Sequence, residues 1–147
     1  MVSEKGVAMK MKIVLEEDAI LPKRAHSQDA GYDLFSREDA QIFPNARVVI
    51  DTGVHMAIPE GYEGHIRSRS SMMTKKGCLT DGTIDSGYTG SIGVVLFNLS
   101  GKLVEIKKGE KIAQIVIEPI FAPELEVVDH LEETERGSGG FGSTGRF

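Results

Sequence analysis

Tryptophan is absent from this chain, and cysteine occurs once, at position 78. A lone thiol cannot close an intrachain bridge, so a packed core has to hold the fold, an arrangement that suits a reducing compartment. Metal-ligand spacing is missing as well. His26, His55, His65, His130 and Cys78 are scattered, without the close pairs that specify a protein-built zinc site. No apolar run approaches the roughly 18 residues of a membrane helix, and the charged stretch Met1–Lys12 has no signal-peptide core. Positive charge is in deficit, with 17 Lys and Arg against 22 Asp and Glu and a net charge of −5. That balance argues against sequence-independent nucleic-acid binding, which phosphate neutralisation drives. A small polyanion can still be held where a few cations converge and a metal ion shares the charge. The expectation is one cytoplasmic domain with no membrane or nucleic-acid partner.

The body of the chain reads as β. Lys12–Leu15, Arg47–Ile50, Val54–Ile58, Ser91–Leu99, Leu103–Ile106 and Ile112–Ile117 are short runs rich in Val and Ile. Turn formers such as Phe43-Pro44-Asn45, Pro59-Glu60-Gly61 and Lys107-Lys108-Gly109 separate them. Strands at this spacing suggest a sandwich, barrel or jelly roll, and no long helical pattern intervenes to build parallel βαβ units. Two segments have helical features. Ser70–Lys75 is short, with two serines able to cap its first turn. Leu125–Glu135 carries apolar residues at 125, 128 and 131. Three parts result: an extension at 1–11, a β domain at 12–135 and a glycine-rich arm at 136–147.

Several stretches could carry chemistry, and each has a plain reading beside the functional one. Gly137, Gly139 and Gly142 fit a G-x-G-x-x-G pattern, but no strand precedes it and no helix follows, so the dinucleotide fingerprint is rejected. The arm is then either a linker or a segment whose bare N–H groups, with Arg136, Ser143 and Thr144, wrap phosphates while Phe141 stacks on a base. Gly61–Ser71 runs from a strand into a serine-rich turn. Alone it is a capped turn, yet Arg69 with free hydroxyls and N–H groups also makes an anion site. Thr80–Gly90 is a hairpin whose Asp85 is a candidate base for activating water and whose Tyr88 can pack on a sugar. Asp29 and Asp33 flank a turn feeding a strand, and Gln114 lies in a strand after the Lys108-Gly109 turn.

Taken together and in this order, these segments resemble the five motifs of the trimeric deoxyuridine triphosphatase (dUTPase) family. Ala30–Leu34 resembles the first, Gly64–Ser71 the second, Gly82–Tyr88 the third, Gly109–Gln114 the fourth and Arg136–Gly145 the fifth. The resemblance implies an all-β, jelly-roll-like subunit with one short helix and a flexible C-terminal arm. It implies a homotrimer whose active sites lie between subunits, each closed by a neighbour's arm. The implied reaction is Mg²⁺-assisted hydrolysis of dUTP to dUMP and pyrophosphate. Asp85 then serves as general base, and Gln114 sits near the α-phosphate and its water. Arg69, Ser70 and Ser71 meet the phosphates, and Tyr88 stacks on the deoxyribose. The backbone of Asp81, Gly82, Thr83 and Ile84, with Gly93 opposite, reads uracil. Arg136, Phe141, Gly142, Ser143 and Thr144 bind substrate from the arm. Asp33 supports the metal through water, with Mg²⁺ held mainly by the substrate's phosphates. Thr89 and Ser71 depart from commoner family versions, which carry a larger residue and glycine there.

Two other readings of the same residues are a dCTP deaminase of this fold and a nucleotide-sensing module without turnover. The first needs a glutamate base where the resemblance places Asp85. The second has no use for Asp85, Gln114 and the arm together.

Overall fold

The structure, a computed structural model, describes residues 9–147. The extension expected at 1–11 therefore lies mostly outside the described residues. Among the described residues, the chain forms eleven strands and one short helix. In order they are β1 (Ile13–Leu15), β2 (Tyr32–Phe35), β3 (Ala40–Ile42), β4 (Arg47–Asp51), β5 (Val54–Met56) and β6 (Tyr62–Arg67). The helix α1 (Met72–Lys76) follows, then β7 (Cys78–Leu79), β8 (Asp81–Ile84), β9 (Gly93–Asn98), β10 (Val104–Ile106) and β11 (Lys111–Pro119). Every ladder is antiparallel. The mostly β fold with one short helix is the one expected from the sequence.

Two sheets position the site. One has the order β2-β11-β6-β8, the other β4-β9-β7. Alternation along the strands builds the core between them. In β9, Val94, Leu96 and Asn98 are fully buried while Phe97 is exposed, and in β4 Ile50 is buried while Val49 is exposed. Leu34, Ile66, Ile112, Ala113 and Ile115 complete the same core from the other sheet. Asn98 is polar yet fully buried because its amide is satisfied. Nδ2 donates to Ile42 O at 2.8 Å and Lys102 O at 2.7 Å, and Oδ1 accepts from Ser100 N at 2.9 Å. Cys78 is buried and unbridged, and burial pushes its thiol pKa up.

Two local expectations fail. The helix begins where the sequence puts it, but Ser71 makes no side-chain cap. Met72 N and Met73 N instead bond to Arg69 O at 3.1 and 3.2 Å, so the backbone closes the turn and leaves the serine hydroxyls free of that task. The second expected helix, Leu125–Glu135, does not form. Leu125, Val128 and Leu131 are 88%, 51% and 84% exposed, so the apolar spacing buries little against its own chain. Beyond Pro119 no strand or helix follows, and apart from Gly139 and Gly140 every residue of 120–147 is exposed. No helix among the described residues is long and apolar enough to cross a membrane.

Candidate active site

Strand pairing assembles the first wall of the site. Gln114 of β11 lies opposite both Asp33 of β2 and Arg67 of β6, which brings the ends of three strands to the start of α1. There Ala25, Asp29, Asp33, Arg69, Ser70, Ser71, Lys111 and Gln114 line an open pocket of about 300 Å³. Asp33 sits between two cations. Its Oδ1 is 3.3 Å from Arg69 Nε and its Oδ2 is 3.2 Å from Lys111 Nζ. Arg69 also donates to Ser71 Oγ at 3.3 Å, and Gln114 Nε2 donates to Ser68 O at 3.2 Å. One carboxylate thus holds two cations at fixed spacing beside two hydroxyls, the donor set that a phosphate chain requires.

Lys111 is a site residue that the sequence reading missed. It follows the Gly109 turn like any solvated lysine, and only the β11–β2 pairing, with its irregularity between Lys111 and Ala113, sets it on Asp33. Ser68 was missed too. Its hydroxyl donates to Thr80 O at 2.9 Å and accepts from Thr80 N at 2.8 Å. Thr80 is the point where the chain changes sheets, with β7 paired to β9 before it and β8 paired to β6 after it.

That change of sheet opens the second wall. Beyond Leu79, β8 turns its pairing entirely to β6, from Arg67↔Asp81 to Gly64↔Ile84. β9 continues to pair with β4 as far as Asp51↔Gly93. Among the described residues, the backbone of Asp81–Ile84 and that of Gly93–Leu96 are not laddered to each other, which leaves donors and acceptors free between two strands. Gly93 itself is explained from inside the fold. A Cβ there would stand 2.9 Å from Val49 Cγ1. The Asp81 side chain points to His65, whose Nε2 lies 2.8 Å from Asp81 Oδ1, so Asp81 offers the site its backbone.

Asp85 follows β8, and its carbonyl accepts from Tyr88 N at 3.0 Å. The Asp85 carboxylate has no hydrogen-bond or ion-pair partner among the described residues and is therefore available to a water. Tyr88 is 44% exposed and donates its hydroxyl to Ser91 O at 2.8 Å.

None of the hairpin residues lines the pocket of Arg69 and Lys111. Among the described residues, the arm makes no hydrogen bond or ion pair to either wall. Its hydrogen bonds are local, such as Arg136 Nε to Gly139 O at 2.9 Å, Ser143 N to Gly140 O at 3.1 Å and Gly137 N to Thr134 Oγ1 at 3.0 Å. Phe141 is fully exposed, at φ 50°, next to Gly142 at φ 86°. A single chain therefore holds Asp33, Arg69, Ser70, Ser71 and Gln114 together. It holds Asp81, Gly82, Thr83, Ile84, Asp85, Tyr88 and Gly93 around the hairpin, and leaves Arg136, Phe141, Gly142, Ser143 and Thr144 apart.

A divalent cation has no dedicated cage at the phosphate-type pocket. Both Asp33 oxygens already face cations, so the carboxylate suits an indirect, water-mediated role. Glu63, His65 and Glu118 do form a cluster whose ligand atoms lie within 4.8 Å of one another. Arg67 Nη2 stands 3.0 Å from Glu118 Oε2, so a fixed cation already occupies that charge. A larger cleft of about 430 Å³, lined by Met11, Ile13, Leu21, Tyr32, Met56 and Ile117 among others, is mixed in character, and its Arg24 stacks on Tyr32 at 5.3 Å.

The dUTPase family profile matches residues 17–145. The chain belongs to the dUTPase family. The deoxyuridine 5′-triphosphate nucleotidohydrolase of Clostridium tetani is 49% identical over 141 residues, 94% of this chain and 97% of that protein. The mouse nucleotidohydrolase is 43% identical over 145 residues, 98% of this chain and 89% of that protein. Among solved structures, the dUTPase of Staphylococcus bacteriophage 80alpha with dUPNHPP superposes with a TM-score of 0.89. It is 36% identical and covers 95% of this chain and 100% of that chain. The dUTPase of phage phi11 of S. aureus, 34% identical with a TM-score of 0.79 over 85% of this chain and 100% of that one, coordinates a structural Mg(II) ion.

Proposed function

We propose that this dUTPase hydrolyses dUTP to dUMP and pyrophosphate by in-line attack of water on the α-phosphorus, with Asp85 as the general base. The observation that carries the reading is the separation of charge and recognition between two walls. Arg69, Ser70, Ser71 and Lys111 hold phosphate oxygens, while the open backbone edges of Asp81–Ile84 and Gly93 read the base. Uracil presents a carbonyl at position 4 and no methyl at position 5. Cytosine reverses the hydrogen-bond pattern and leaves buried backbone groups unpaired, a strong basis for rejection. Thymine adds bulk to a narrow slot. Tyr88 packs on the sugar and leaves no space for a 2′-hydroxyl. Gln114, anchored on Ser68 O, orients the α-phosphate and the water that Asp85 deprotonates.

Little covalent work falls to the protein, so positioning and charge stabilisation supply most of the rate. Mg²⁺, when bound with the triphosphate, neutralises developing charge on the leaving pyrophosphate, and Asp33 supports it through water. The two walls share no lining residue in one chain, and among the described residues the arm makes no hydrogen bond or ion pair to either. That incompleteness supports a homotrimer with sites between subunits, each covered by a neighbour's arm. Phe141 then lies over uracil, the Gly142 backbone approaches the phosphates, and Arg136, Ser143 and Thr144 grip them. Residues 12–135 form the catalytic β domain in this scheme and 136–147 its lid. The buried, unbridged Cys78 suits a cytoplasmic enzyme.

The test is pyrophosphate release with Mg²⁺, comparing dUTP, dTTP, dCTP and UTP. Release from dUTP, exceeding each competitor by at least about 100-fold, is the expected result. Ammonia release from dCTP, or dUTP binding without turnover, would overturn it.

A further inference from the structure

The turn Asp85–Ser91 carries both Asp85 and Tyr88, and it makes few bonds of its own. What fixes it lies outside it, on β4 and β5. Tyr88 donates its hydroxyl to Ser91 O at 2.8 Å. The ring lies so closely over Gly90 that a Cβ there would stand 2.5 Å from the Tyr88 hydroxyl oxygen. The ring is therefore oriented by where the Gly90–Ser91 backbone sits. Ser91 in turn donates its hydroxyl to Asp51 Oδ1 at the end of β4. Asp51 is itself held, accepting from Gly53 N at 3.2 Å and from Arg37 Nη1 at 3.0 Å. Between Tyr88 and Gly90, Thr89 is held as well: His55 of β5 donates from Nδ1 to Thr89 O at 2.7 Å. Its Nε2 lies 3.7 Å from Glu16 Oε1.

From this double tether we propose that Asp51 and His55 are positioning residues for Tyr88. They touch no part of the phosphate pocket, and they fix the plane of the Tyr88 ring and so set how strongly deoxyribose is preferred to ribose. The inference rests on the reading of Tyr88 as the residue that packs on the sugar. A ring oriented only by its own chain would be free to tilt as Gly90 and Ser91 move, and a tilt opens space for a 2′-hydroxyl. With Ser91 and Thr89 tied to two different strands, the turn cannot shift without breaking bonds to the sheet. Asp51 is a net acceptor suited to the task. Burial pushes its pKa up, but the Ser91 hydroxyl, the Gly53 N–H and Arg37 outweigh that and hold the group below the ordinary carboxylate range.

The experiment compares kcat/KM for dUTP and UTP, with Mg²⁺, in the full-length enzyme and in Ser91→Ala, His55→Ala, Asp51→Asn and Tyr88→Ala. Ser91→Ala cuts the Asp51 tether without disturbing the Asp51–Arg37 pair, so it remains informative if changes at Asp51 impair folding. The expected result is a rise of about tenfold in the UTP-to-dUTP ratio for Ser91→Ala and for His55→Ala, carried by a lower KM for UTP. Asp51→Asn, which keeps an acceptor for the serine, is expected to stay near the parent ratio. A merely structural role lowers both rates together and leaves the ratio unchanged. An unchanged ratio in Ser91→Ala and His55→Ala, with a raised ratio in Tyr88→Ala, overturns the tether while leaving Tyr88 as the sugar reader. An unchanged ratio in Tyr88→Ala overturns the sugar-reading role itself.

Discussion

At the scale of single residues, the candidate site rests on partners that strand pairing and the change of sheet supply. Arg69, Asp85, Tyr88 and Gln114 sit in segments whose order resembles the dUTPase motifs. Lys111 and Ser68 do not announce themselves, because a lysine after a turn and a serine before an arginine are ordinary surface residues. Asp33 across the ladder and Thr80 across the sheet change give them their partners. His65 is a further case. It lies between Asp81 Oδ1 at 2.8 Å and Glu118 Oε1 at 3.0 Å. Asp81 and then Glu118 favour the imidazolium and raise its pKa above the ordinary 6.5, against opposing contributions from burial and Arg67. A raised folded pKa means that the protonated pair stabilises fully below the unfolded value, near 6.5, and that this stability is lost as pH rises through the folded value. The melting temperature should therefore fall more between pH 6 and pH 8.5 in the parent than in His65→Gln. Parallel pH profiles for the two would show that His65 contributes nothing through its charge.

Elements were legible in proportion to how much of their pattern was their own. The runs at Arg47–Ile50, Ser91–Leu99 and Ile112–Ile117 became β4, β9 and β11 because alternating Val and Ile cover a core that the chain itself provides. Strand β3, Ala40–Ile42, was not legible. It has three residues and exists by pairing with β10 far along the chain. The expected helix at Leu125–Glu135 failed for the converse reason, since its apolar spacing buries little against its own chain. The hand-over from β7 to β8 is where the two walls of the candidate site meet. Ser68 satisfies both backbone groups of Thr80, which is only 7% exposed. Removing the hydroxyl leaves those groups unpaired at a cost of about 2 kcal/mol, or a fall of roughly 4–8 °C in melting temperature. It also uncouples the Ser68–Ser71 loop from β8. Ser68→Ala should lower the melting temperature and raise the KM for dUTP several-fold with a smaller change in kcat, and Ser68→Thr should restore both. A KM equal to that of the parent in a destabilised Ser68→Ala protein would limit Ser68 to a structural part.

At the scale of the molecule, one chain does not bring its candidate site residues together. The cation pair on Asp33, the hairpin with Asp85 and the arm from 136 occupy three separate places, and the arm buries nothing against its own core. A closed ring of identical subunits can bring such parts together, because symmetry repeats each junction between different chains. Two inactive variants can test this. Asp85→Asn keeps the arm but lacks the base, and turnover should fall by about two or more orders of magnitude. Truncation after Glu135 keeps Asp85 but lacks the lid, and it should fold, since the removed residues are exposed. If each site draws its base and its arm from different subunits, co-expressed mixtures of the two should regain activity. In a mixed trimer of either composition, roughly one site in three should regain both parts. Turnover of dUTP by mixed trimers, isolated through two different affinity tags, measures the outcome. Recovery assigns the arm to a neighbour's site. Mixed trimers as inactive as their parents would mean that each arm serves the chain that carries it, and the inter-subunit site would have to be abandoned.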